Sequence, residues 1–309
     1  MFDALSKAFF HTLAGSGTIK QAASRYGMRR PSSFARRFIA GETVQEAIDA
    51  ARRIETAGMQ VTLDYLGESV ASIDEAAAAT REYLTVVDAI AASGVGRNIS
   101  LKLTQLGLDV DRATTVDNLR RILDRAAPHD FFVRIDMESS EYTERTLEIF
   151  ETLWNQGYRN AGVVIQSYLR RSEQDVRRMN ALGARVRLVK GAYKEPRAAA
   201  YQAKSEVDEK YLELMTLLLD EGTYPAIATH DPAIIDATLA HARARGYASN
   251  RFEIQMLYGI RRDLQAELTA AGYPFRVYVP FGREWFPYFM RRLGERPANV
   301  MFIARSLFR

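Results

Sequence analysis

From Gln60 to Gly282, short runs rich in β-branched and aromatic residues alternate with longer stretches of helix formers. Eight such runs stand out: QVTLDYLG, NISLKLTQL, FFVRIDM, AGVVIQSY, ARVRLVKGAY, YPAIATHD, FEIQML and FRVYVPFG. Between them lie sequences such as SIDEAAAATREYLTVVDAIAAS and TERTLEIFETLWNQG. Strands separated by helices pair in parallel, because each helix carries the chain back along the sheet. Eight units over about 250 residues close the sheet on itself, so the expected fold is α/β, a (β/α)8 TIM-type barrel. A chain of 309 residues leaves room for an added segment. Residues 1–57 read as helical, with breaks at Gly15–Gly17, Gly27 and Pro31, and residues 58–309 as the barrel. No linker or repeat separates the two, so they are expected to form one integrated domain. The opening FDALSKAFFHTLA spaces Phe2, Leu5, Phe9 and Leu13 along one helical face.

The chain has no cysteine, which excludes disulfides, iron–sulfur clusters, thiolate zinc sites and a cysteine nucleophile. Four scattered histidines and no HExxH leave no expected metal site. A net charge of +4 reads as a mildly basic protein. One cationic cluster exists: Arg25, Arg29, Arg30, Arg36 and Arg37 have no acid between them. Such a cluster suits an anionic membrane surface. It lacks the regular aromatic interleaving of a single-strand binder, so no nucleic acid is expected. No apolar run approaches the roughly 20 residues needed to cross a bilayer, and the N-terminus lacks a signal-peptide layout. A cytoplasmic protein is expected, with peripheral contact at the inner face of the membrane.

Alternate residues of a strand point to opposite faces. On the second run Leu101 and Leu103 oppose Ser100 and Lys102; on the third, Val133 and Ile135 oppose Arg134 and Asp136; on the fifth, Val186 and Leu188 oppose Arg185 and Arg187. The same split sets Asp64, Gln166, His230, Gln255 and Tyr278 against aliphatic neighbours. The aliphatic face must meet the outer helices, so the polar face points into the barrel. Barrel interiors are normally filled by bulky apolar residues, and a buried unpaired charge costs several kcal/mol. An internal ion network, with Arg134 and Arg185 on Glu253, would account for the members early in the strands. Lys102, Asp136, Arg187, His230 and Tyr278 lie late, at the C-terminal end where barrel enzymes keep their active sites. A ligand site rich in cations, suited to an anionic ligand, is expected there.

No GxGxxG lies between a strand and a helix, and no GxxxxGK[ST] is present; the Gly94–Gly96 GVG precedes a strand. A nucleotide cofactor would therefore sit on the barrel mouth itself. Two other readings remain open at this level. Lys102 or Lys190 could be the nucleophile of a Schiff-base aldolase. The Arg25–Arg37 cluster could serve a basic binding module without catalysis.

The segments DYLGE, SLKLTQLGLD, VRIDME, VVIQSYL, RVRLVKGAY, ATHD, FEIQMLYG and RVYVPFGREWFPYFMRRLGERPAN, in this order, resemble the proline dehydrogenase family over roughly residues 40 to 305. The likeness is to its monofunctional bacterial, FAD-dependent members. It implies a distorted barrel with the last helix across the mouth and FAD held non-covalently. The implied reaction takes L-proline to Δ1-pyrroline-5-carboxylate and passes electrons to a membrane quinone. On the matching positions, the resemblance implies that Lys190, Gly191 and Ala192 line the flavin with Met137, Gln166, Thr229 and His230. Arg187 would lie near its reactive nitrogen, with Asp136 in the catalytic network. Lys102, Arg291 and Arg292 would hold the substrate carboxylate, supported by Glu295. Tyr193, Leu257 and Tyr278 would pack on the proline ring, and Glu68 would pair with Arg291 as a gate. By helical period alone, Phe286, Met290 and Leu293 form an apolar stripe on the last helix, and Tyr288, Arg291, Arg292 and Glu295 a solvated face.

Overall fold

The structure is a computed structural model and describes residues 34–294, with side chains from 35 to 290. All eight expected strands form: β1 (Gln60–Tyr65), β2 (Asn98–Leu101), β3 (Phe132–Ile135), β4 (Ala161–Gln166), β5 (Arg185–Val189), β6 (Ala226–Ala228), β7 (Glu253–Leu257) and β8 (Phe275–Phe281). Each pairs in parallel with its neighbours, and β8 pairs with β1, so the barrel closes. The chain between strands folds as helices with local stop and start signals. Ser72 caps the helix Ile73–Ser93, which ends at Gly94 in the left-handed region, and Asp231 caps Pro232–Ala244.

The main apolar core lies between the barrel wall and the helices. Val61, Leu63, Ile99, Leu101, Val133, Ile135, Val186, Leu188, Val277 and Val279 are all buried there against helical residues such as Tyr83, Leu119, Phe150 and Leu218. The polar parity therefore faces inward. At the N-terminal end the interior is an ion network, with partners other than those expected. Glu253 accepts from Arg276 Nε and Nη2, not from Arg134 or Arg185. Arg134 donates to the carbonyls of Val163 and Arg185. Gly162 makes room for it, since a Cβ there would lie 2.8 Å from Arg134 Nη1. Arg185 is exposed at the strand's start, its guanidinium over the rings of Phe132 and Tyr224. A strand's first residue sits at the open rim, where water solvates a charge that the interior would not.

The barrel is distorted at its seam. The helix Val44–Thr56, closed by a reciprocal Thr43–Glu46 capping box, packs on β1 and β8 and buries Ala47, Ile48, Ala50 and Ala51. It takes the outer position that the helix after β8 would otherwise fill. That last helix, Trp285–Gly294, instead joins a second core with Leu66 and Ile260, which follow β1 and β7 at the barrel mouth. Phe38 and Ile39 complete this cluster. The chain just before Val44–Thr56 is laced to β8 and its loop: Ala40 N donates to Pro280 O, Gly282 N to Gly41 O, and Trp285 Nε1 to Glu42. Phe286 and Met290 are buried as expected, but so is Tyr288, which periodicity assigned to solvent. A helix held over a mouth has protein on both faces.

Of the arginine cluster, Arg36 pairs with Glu46 at 2.7 Å and Arg37 is exposed. Arg25, Arg29, Arg30 and the opening apolar stripe lie outside the described residues, as do the side chains of Arg291 and Arg292 and all of Glu295. Among the described residues no helix is long and apolar enough to cross a membrane, and no group of acidic and histidine side chains could hold a metal.

Candidate active site

The late strand positions converge at the C-terminal end of the barrel. Asp136 and Lys102 each follow the last residue of their strand, and Tyr278 stands midway along the longer β8. Arg187 Nη1 donates to Asp136 Oδ1 at 2.7 Å, and the Tyr278 hydroxyl donates to Asp136 Oδ2 at 2.6 Å. Arg187 Nη2 reaches Ser100 Oγ at 3.2 Å, and its guanidinium lies 5.2 Å from the Tyr278 ring centroid. One carboxylate thus fixes a cation and a ring from two other strands. Burial, then the nearby Asp136 and Asp64 charges, hold the Tyr278 hydroxyl well above its ordinary pKa, so it stays a donor.

Lys102 Nζ lies 3.6 Å from Asp64 Oδ1, and both side chains are buried. Burial pushes the Lys102 ammonium down, but the attraction of Asp64 and Asp136 outweighs it, so its pKa is raised. A Schiff base requires the neutral amine, so this lysine is poorly suited to the aldolase reading. Lys190 is tied as well, to Asp208 and Asp231.

Gln166 Nε2 donates to the Glu138 carbonyl, whose carboxylate in turn accepts from Thr104 Oγ1 at 2.7 Å. Met137 and Thr229 are buried beside this group of strand ends. His230 Nε2 accepts from the Leu257 amide at 3.0 Å, which fixes its proton on Nδ1. Gly191 has φ +114, and a Cβ on it would run into the Tyr168 ring, so any side chain strains the turn after β5. Ala192 is exposed and Tyr193 and Leu257 are half-buried at the same end. Glu195 anchors this loop by accepting from Ser140 N and from Tyr168.

Two expectations change here. The cluster is not simply cationic: Lys102 and Arg187 face Asp64, Asp136 and Glu138. The sequence reading also gave no role to Asp64, Glu138, Glu195, Asp208 or Asp231. Strand parity had marked Asp64. The others stand in loops and helices, where no periodicity signals an inward side chain.

Three buried polar atoms here have no hydrogen-bond partner among the described residues: both Asp64 carboxylate oxygens and Arg187 Nε. Unfilled donors and acceptors at a barrel mouth fit a bound polar ligand.

The sequence pattern of the proline dehydrogenase family matches residues 47–305. Proline dehydrogenase 1 of Bacillus subtilis is 42% identical over 300 residues, covering 97% of this chain and 98% of that protein. Proline dehydrogenase of Deinococcus radiodurans is 37% identical over 313 residues, all of both chains. Among solved structures, proline utilization A from Bdellovibrio bacteriovorus inactivated by N-propargylglycine superposes with a TM-score of 0.78 at 29% identity. It covers 84% of this chain, which spans 32% of that one. A closed barrel with a polar, ligand-ready mouth, matched over nearly its whole length, belongs to the proline dehydrogenase family: this chain is an enzyme that oxidises proline in proline catabolism.

Proposed function

We propose that the enzyme binds FAD non-covalently at the C-terminal mouth and converts L-proline to Δ1-pyrroline-5-carboxylate, with a quinone as the electron acceptor. The observation that carries this reading is the Asp136–Arg187–Tyr278 cluster, in which a buried guanidinium keeps one N–H without a partner among the described residues. FAD, when bound, accepts the hydride from the ring carbon next to nitrogen. Lys190, Gly191, Ala192, Met137, Gln166, Thr229 and His230 would hold it, and Arg187 Nε would donate to it. The φ of Gly191 supports this, because it lets the backbone turn with no side chain in the way.

On the substrate side, Lys102 holds the carboxylate with Arg292, and Tyr278, Tyr193 and Leu257 wall the ring. Asp136 keeps Arg187 and Tyr278 in register, so cation and wall move together. Arg291 pairs with Glu68 when the last helix closes, with Glu295 bracing the arginines. Quinone reduction and contact with a membrane surface follow from the family reading alone. The test is an absorption spectrum of freshly purified protein. A flavin spectrum that bleaches on adding proline, with all flavin released intact on denaturation, is the expected result. Colourless protein, or flavin retained by the denatured chain, sinks the reading.

A further inference from the structure

Asp64 is fully buried, yet neither of its carboxylate oxygens has a hydrogen-bond partner among the described residues. Its nearest opposite charge is Lys102 Nζ, 3.6 Å from Oδ1, beyond hydrogen-bond length. The two stand one above the other. Asp64 pairs in register with Ser100, and Lys102 lies two residues further toward the mouth. A buried carboxylate without its full set of partners is costly, so a fold keeps one only for what it does to its neighbour.

We propose that Asp64 is a positioning residue for substrate binding, holding the Lys102 ammonium from beneath so that its remaining N–H donors face the carboxylate of a small amino acid. This rests on the reading of Lys102 as the carboxylate anchor. The separation of 3.6 Å suits the role, because Asp64 attracts the ammonium without consuming its donors. The charge of Lys102 depends on the same contact. Glu68, Asp136, Glu138 and Tyr193 also act on Lys102, but Asp64 is its strongest electrostatic neighbour. Around Asp64 itself lie Asp136, Tyr278, Arg187 and Tyr83. Removing the Asp64 charge takes away the largest of the attractions that oppose burial, so the lysine's pKa falls and the anchor discharges as pH rises.

The test is calorimetric binding, to the flavin-loaded enzyme, of a proline analogue with a ring ether in place of the amine, together with its carboxamide. The analogue does not titrate near neutrality, so any pH dependence belongs to the protein. Wild-type affinity should be flat between about pH 6.5 and 9.5. Asp64→Asn should weaken the analogue about tenfold or more, and the loss should deepen toward high pH by up to about tenfold per unit. Carboxamide affinity should not change, and KM for proline should rise more than kcat falls. Lys102→Met should weaken the analogue at every pH, and adding Asp64→Asn to it should change little, since the pair is already broken. A pH profile for Asp64→Asn parallel to wild type, or additive losses in the double variant, overturns the proposal. If Lys102→Met leaves the analogue's affinity intact, it is the anchor reading that fails, and the role of Asp64 with it. Should Asp64→Asn alone not fold, the double variant and the wild-type profile still decide. A wild-type affinity that falls across that pH window overturns the proposal.

Discussion

The Tyr278 hydroxyl and the Arg187 guanidinium occupy the two oxygens of one carboxylate, Asp136, at 2.6 and 2.7 Å. The ring of Tyr278 is therefore pinned at one end and half-buried. Tyr278→Ser should open space beside the substrate ring and raise kcat/KM for a hydroxylated proline relative to proline. Tyr278→Phe keeps the wall and loses only the hydrogen bond, costing about 1.5–3 kcal/mol of stability with no gain for the hydroxylated substrate. A kcat/KM ratio that stays put in Tyr278→Ser would show that the wall lies elsewhere.

Gly191 offers a backbone test of the cofactor site. With φ +114 and the Tyr168 ring 2.3 Å from a built Cβ, Gly191→Ala strains the turn after β5 by about 1–3 kcal/mol. Since the strain is confined to the mouth, the barrel should still melt cooperatively. FAD should bind at least about fivefold more weakly, measured by fluorescence titration of protein stripped of flavin. Unchanged flavin affinity would remove this turn from the cofactor site.

The ion network at the barrel's other end predicts a pH dependence whose sign reverses with one substitution. Burial pushes the Glu253 carboxyl up, but the Arg276 guanidinium outweighs it, so its folded pKa is lowered. Its contribution to stability is then full above about pH 4.3, the unfolded value, and is lost as pH falls through the lowered folded value. In Arg276→Met the largest opposing interaction is gone, only Gln255 and Arg134 still act against burial, and the folded pKa rises. The variant should be about 3–5 kcal/mol less stable near pH 7, and its deficit should shrink as the pH falls toward 4. Chemical denaturation at a series of pH values gives the comparison. A deficit that is constant or grows on acidification contradicts the assignment.

The arginines of the last helix separate by role. They are adjacent, so they project about 100° apart and cannot do the same work. Arg292→Met should raise KM for proline by about 10- to 150-fold, the worth of a hydrogen bond to a charged group. Glu68→Ala should instead slow flavin reduction in stopped flow, and should add little in an Arg291→Met background. Fully additive effects of the Glu68 and Arg291 changes would rule out the gate.

The sequence by itself determined the barrel and its inward polarity. Period-two alternation on eight runs is local information: Leu101 and Lys102 must face opposite ways wherever the strand goes. It also put Asp136, Arg187 and Tyr278 on the inward parity, although Arg187 and Tyr278, expected late in their strands, stand midway along β5 and β8. Only the tertiary structure decided which of them meet. Arg187 is 51 residues from Asp136, and Tyr278 is 142 residues from it. Nothing in a strand's own pattern chooses a partner across the barrel. The same limit explains why Arg276, and not Arg134 or Arg185, found Glu253. Rim exposure for Arg185 and the neighbouring carbonyls for Arg134 are properties of the closed cylinder. Likewise Tyr288 is polar-faced by helical period yet buried, because the helix Val44–Thr56 already fills the seam between β8 and β1 and leaves the last helix the mouth. Periodicity assigns faces to an element, and packing against the rest of the chain decides what each face sees.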